Sequence, residues 1–198
     1  MDTYLRNGFL LNYLDVVEEK DFISGVDLAQ YVGLDDAKIF NYPTHWLKFT
    51  VNDRDHFIAK KPIAYLISWD QLHQLGCVYD SFSSHSIYIK EKEYRITLLK
   101  GLNINYINKH YVQEDHYKYS EWNELMHRAY HFLNRDLNQL GMKEKEGYLT
   151  LCQENHSNLR EVVVRGGETI ESIDFLDKTI KLIASGWRPI LREIKGEY

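Results

Sequence analysis

Apolar and polar residues alternate with a period of two in two blocks of the chain, and each block reads as a β-hairpin. Trp46-Leu47-Lys48-Phe49-Thr50-Val51 forms one arm. A turn comes next at Asn52-Asp53-Arg54-Asp55, and His56-Phe57-Ile58-Ala59-Lys60 returns as the second arm. In the other block, Ser86-Ile87-Tyr88-Ile89-Lys90 and Tyr94-Arg95-Ile96-Thr97-Leu98-Leu99 flank a turn at Glu91-Lys92-Glu93. Pro62 confines the segment after it to a strand end or an edge. Further short strands are expected at Tyr148 to Cys152 and Glu161 to Val164, with a turn at Arg165-Gly166-Gly167 and an apolar piece from Ile180 to Ile183. Gly186-Trp187-Arg188-Pro189-Ile190-Leu191 reads as a terminal strand that Pro189 places at an edge or bulge.

Three segments carry helix signals. Ser24 opens an S-x-x-D start, Val26, Leu28, Ala29 and Val32 come after it, and Gly33 stands where a helix-ending glycine belongs. Ser68-Trp69-Asp70-Gln71 is a capping box, with Trp69, Leu72 and Leu75 on one face and Gly76 closing the run. After Ser120, the residues Trp122, Leu125, Met126, Ala129, Tyr130 and Leu133 trace a helical stripe. Residues 1–20 show no clean period, so 1–21 is set apart as an N-terminal extension and 22–198 is read as one α+β domain. Strands and helices do not alternate, which excludes a doubly wound parallel sheet.

The chain has 198 residues, enough for one domain with a sizeable core. Its 24 basic and 29 acidic side chains give a net charge of −5, which lends no support to nucleic-acid binding. Two cysteines, Cys77 and Cys152, are too few for a disulfide scaffold or a four-thiolate zinc site. No basic start leads into an apolar core, so no signal peptide is expected, and no apolar run is long enough to insert into a membrane. Glycine-rich phosphate loops are absent. Aromatic residues make up 14% of the chain, 15 of them tyrosine. The four tryptophans begin helix stripes or strands and read as core residues.

Few motifs carry chemistry. His127 and His131 are spaced to share one helix face, and Glu124 precedes His127 by three residues. No second E-x-x-H exists to complete a di-iron site, so no metal and no cofactor are expected. Cys152 and His156 lie close in sequence, but an extended strand would separate them by about 13 Å, too far for a nucleophile and its base. A buried structural thiol is the expectation. Between 104 and 119 the chain mixes tyrosine, asparagine and histidine, as adaptable recognition loops do. Tyr106, Asn108, His110, Tyr111 and Tyr117 are the candidate binding residues there.

A series of motifs then carries a resemblance. It runs Ser24-Gly25-Val26-Asp27-Leu28-Ala29, Trp46-Leu47-Lys48-Phe49, Ala59-Lys60-Lys61-Pro62, Ser68-Trp69-Asp70, Arg95-Ile96-Thr97-Leu98-Leu99, Ser120-Glu121-Trp122-Asn123, Cys152-Gln153-Glu154, Arg165-Gly166 and Ser185-Gly186-Trp187-Arg188-Pro189-Ile190-Leu191. Over about residues 22–193 it resembles uncharacterised proteins of phages and prophages of Gram-positive bacteria, often virion-associated modules. The terminal Gly-Trp-Arg-Pro-Ile-Leu resembles the closing strand of C-type-lectin-like folds. The resemblance implies a twisted antiparallel sheet with two main helices and long loops. It would set the terminal strand at Trp187–Ile194 beside the early strand at Trp46–Val51. Calcium-mediated sugar binding is not carried over, because the proline-containing calcium motif of those lectins is missing and Trp122-Asn123-Glu124 only imitates their second motif. The paired active-site cysteines of formylglycine-generating enzymes are missing too.

The function expected on these grounds is a non-enzymatic binding or structural module of phage or prophage origin. Its loops would contact a protein or a cell-surface glycan, in a virion or in the bacterial cytoplasm. The alternative is a small hydrolase using Cys152 with a histidine, or a metal site at His127/His131. The sequence assigns no oligomeric state.

Overall fold

Ser24 and Ser68 each accept a hydrogen bond from the amide three residues on, Asp27 at 3.0 Å and Gln71 at 3.2 Å, and each starts a helix. These are α1 (Gly25–Val32) and α2 (Trp69–Gln74). Gly33 ends α1 in the left-handed conformation at φ +80°, where a side chain would be strained. In this computed structural model the described residues are 4–6, 9–102, 120–155 and 160–195.

The strands form two sheets. One, sheet A, has seven: β1 (Tyr4–Arg6), β2 (Phe9–Glu18), β4 (His45–Val51), β5 (Arg54–Ala59), β7 (Ser86–Ile89), β8 (Lys92–Thr97) and β13 (Ile190–Glu193). Their order across the sheet is β1-β2-β4-β5-β13-β8-β7, and every pair is antiparallel. Sheet B contains β3 (Lys38–Ile39), β6 (Ala64–Tyr65), β9 (Leu149–Asn155), β10 (Glu161–Gly166), β11 (Ile173–Asp177) and β12 (Ser185–Trp187). Its order is β11-β10-β9-β12-β6-β3, with β9 and β12 parallel. The fold is α+β, built mostly from antiparallel sheet with few helices.

Both expected hairpins form. β4 and β5 are joined by Asn52 and Asp53, both at positive φ, a two-residue turn whose twist suits a hairpin. In the second hairpin the turn sits at Lys90 and Glu91, one residue earlier than the pattern suggests, and Lys92 and Glu93 pair with Ile89 and Tyr88. Residues 9–18, where no period is legible, form β2 and pair along β4. β11 has no counterpart in the sequence expectation, and Ile180 and Ile183 lie exposed in turns.

The terminal segment departs most from expectation. It is two strands in two sheets, both interior: β12 lies between β9 and β6, and β13 between β5 and β8. Pro189 sits at the corner between them, where its missing N–H breaks no ladder, and its carbonyl accepts from the Ala59 amide at 3.1 Å. Arg188 holds that corner. Its buried guanidinium donates to the carbonyls of Ala59, Lys60 and Leu140 and, at 3.1 Å, to Thr150 Oγ1. β4 lies between β2 and β5, so the terminal strand is not beside Trp46–Val51.

Sheet A is covered on both faces. Trp46, Phe57, Tyr94, Ile96 and Leu191 pack with α1, α2 and the sheet B residues Leu151, Val162, Val164 and Trp187. On the opposite face Leu47, Phe49, Ile58 and Ile190 meet Trp122, Leu125, Met126 and Ala129. The latter come from a π-helical turn at Trp122–Met126 that tightens into α3 (His127–Phe132). Ser120 starts it as expected, its hydroxyl accepting from the Asn123 amide. All four tryptophans are core residues, at most 2% exposed.

Candidate functional site

Strand alternation puts Arg54 and His56 on the same face of β5 as the core residue Ile58. Antiparallel pairing then aligns one residue from each of five strands: Phe49, His56, Arg192, Arg95 and Ser86. The apolar contacts of this face stop at Phe49 and Ile58, and beyond them the row is charged. A pocket of about 430 Å³ opens there, lined by Arg54, His56, Asp80, Arg95, Arg192 and Glu193 among others.

Most of these charges are held. Glu121, just ahead of the π-helical turn, grips Arg192 with both carboxylate oxygens, Nη2 standing 2.8 Å from Oε2. Arg192 Nε also donates to Thr97 Oγ1 at 3.1 Å. Burial works against ionising Glu121, but the Arg192 charge and hydrogen bonds outweigh it and hold the carboxyl below its usual value. Arg95 pairs with Asp80. Glu193 takes the Asp55 amide at 2.8 Å and Lys92 Nζ at 3.1 Å. Lys92 and Lys48 also flank Asp55 at 3.2 Å and 3.1 Å.

Two groups in the pocket are not held. Arg54 is exposed, and its guanidinium has no hydrogen-bond or ion-pair partner among the described residues. His56 is only 9% exposed, and its buried Nδ1 has no partner among them. Burial, reinforced by the Arg192 charge, brings the imidazole down to about 4, so it is neutral at pH 7. A buried polar atom without a partner costs about 1–3 kcal/mol.

The residues expected from sequence fall differently. Tyr106, Asn108, His110, Tyr111 and Tyr117 lie outside the described residues, as does His156. Cys152 is fully buried, with burial pushing its thiol well above the usual range, and its Sγ faces the Thr150 carbonyl at 3.6 Å. Such a thiol is a poor nucleophile. Cys77 is also buried, its thiol raised to about 12. His127 is half-buried with burial lowering its pKa, while His131 is exposed and its Nδ1 accepts from Arg135 at 3.4 Å. Among the described residues no three His, Cys, Asp or Glu side chains group as metal ligands would.

A second cavity of about 430 Å³ is lined by Tyr42, His45, Lys60, Lys61, Asn138 and Gln139 among others. Its cations are engaged: Lys60 donates to Gln139 at 3.2 Å and Lys61 to Glu144 at 2.7 Å. Phe40 stacks on the Tyr42 ring, and Lys61 lies over it. It offers less to an incoming group than the charged row does.

The sequence does not point to that row because its residues belong to five separate strands. The available signal is an arginine in phase with a core residue of its strand, as Arg192 is with Ile190 in Ile190-Leu191-Arg192. Comparison of the chain with family models, curated proteins and solved structures finds no match.

Proposed function

We propose that the protein is a non-enzymatic binding module of phage or prophage origin that engages a protein or cell-surface glycan through the charged pocket on sheet A. The observation that carries this reading is the pairing state of the pocket. Arg95, Arg192 and Glu193 are fixed by partners, while Arg54 has no hydrogen-bond or ion-pair partner among the described residues and the neighbouring His56 adds no charge. Rigid walls with a few unsatisfied donors are what a ligand-binding cleft offers. A thiol hydrolase at Cys152 has no comparable support, since that thiol is enclosed and protonated.

The origin and the location, in a virion or in the bacterial cytoplasm, rest on the motif series alone. A C-type-lectin-like topology belongs to the same proposal, but the pairing it implied between the terminal strand and Trp46–Val51 does not form, which counts against it.

Fluorescently labelled protein applied to Gram-positive cells tests the reading. Cell binding that Arg54→Ala weakens about tenfold is the expected result, with protease or periodate treatment of the cells telling a protein ligand from a glycan. Equal binding by the variant would move the contact surface away from this pocket.

A further inference from the structure

Resting on the binding-module reading above, we infer that the pocket takes an acidic sugar, a pyranose bearing one carboxylate. Charge balance comes first. Glu121 offsets Arg192, Asp80 offsets Arg95, and Glu193 is matched by Lys92, which among the described residues leaves Arg54 as the uncompensated charge of the pocket. One uncompensated guanidinium matches one carboxylate, which it can hold by two parallel hydrogen bonds.

The acceptors decide the rest. Asp80 lines the same pocket, and its carboxylate, held on one side by Arg95, is an acceptor for which a bare oxyanion such as phosphate brings few donors. The same carboxylate can accept from the hydroxyls of a sugar ring. The Asp80 side chain is 45% exposed and within reach of an incoming group. The mostly buried His56 imidazole lines the pocket without adding charge. A neutral sugar would leave Arg54 unused. An acidic peptide would use Arg54 but brings fewer donors for the Asp80 carboxylate than a polyol ring does. The volume of about 430 Å³ is in the range of small-molecule clefts.

The test uses the whole chain and four probes: D-glucuronate, D-glucose, inorganic phosphate and N-acetyl-glutamate amide. The readout is the movement of the Arg54, Arg95 and His56 side-chain NMR signals on titration. Glucuronate is expected to move all three, and Arg54→Ala to weaken that binding by about tenfold, the share of a charge-assisted contact. Arg54 is exposed, so the variant is expected to fold, and an unchanged backbone spectrum checks this. Phosphate or the glutamate derivative binding as tightly as glucuronate would overturn the inference, as would glucose binding equally well. Glucuronate moving none of the three signals would also overturn it. Arg54-dependent cell binding alongside any of these results leaves the binding-module reading standing, whereas its loss fails that reading separately.

Discussion

One carboxylate oxygen of Glu121 ties Arg192 to the end of sheet A: Oε2 stands 2.8 Å from Arg192 Nη2 and 2.9 Å from the Lys100 amide nitrogen. The Trp122 amide then donates back to the Lys100 carbonyl at 2.9 Å. The arginine that floors the pocket and the chain entering the π-helical turn are therefore parts of one network.

Removing one member should leave the other as a mostly buried, uncompensated charge. Glu121→Ala is expected to cost on the order of 3 kcal/mol of stability. Replacing both Glu121 and Arg192 by apolar residues should cost less than the sum of the single changes. Urea unfolding of the two single variants and the double variant measures this, and strictly additive losses would argue against coupling.

Glu154 sets a pH dependence of the opposite kind to an exposed carboxylate. It is buried, and burial raises its carboxyl to about 7, against the pull of the Gly101 amide 2.9 Å from Oε2. A folded value above the unfolded one means that the contribution to stability is full below about 4.5 and is lost as pH rises through about 7. Glu154→Gln should remove that fall. The difference in unfolding free energy between wild type and variant, followed from pH 5 to 8, should shift by about 3 kcal/mol. A difference that stays constant with pH would refute the assignment.

Both thiols should be silent in the native protein. Cys77 and Cys152 are buried and pushed upward in pKa by that burial. Ellman's reagent at pH 8 is expected to modify neither cysteine until urea unfolds the chain. One rapidly reacting cysteine under native conditions would revive the thiol-hydrolase alternative.

Gly186 allows β12 to approach its neighbours. A Cβ there would run into the Gly147 carbonyl oxygen and lie 2.9 Å from Pro62 Cβ. The first contact is backbone and has no rotamer to escape into. Gly186→Ala is expected to lower stability by about 3 kcal/mol, read as a fall in the urea midpoint. A midpoint within error of wild type would mean that the segments around Gly147 and Pro62 can move away from β12 at little cost.

Local patterns carried much of the fold. Serine caps started helices at Gly25 and Trp69, alternation marked the two hairpins, and the tryptophans were core residues as their positions implied. These features arise from interactions within a few residues, or from a face that must be apolar. Pairing across distance was settled only when the chain packed. β2 is a strand because β4 is there to complete its ladder, and Gly186–Leu191 divides between two sheets because Arg188 finds acceptors at Ala59, Lys60, Leu140 and Thr150. The pocket belongs to the same class. His56, Arg95 and Arg192 come from strands far apart in sequence, and sheet registry alone sets them in one row. Residue types fix what each side chain can do, but a site assembled by registry exists only once the strands have paired.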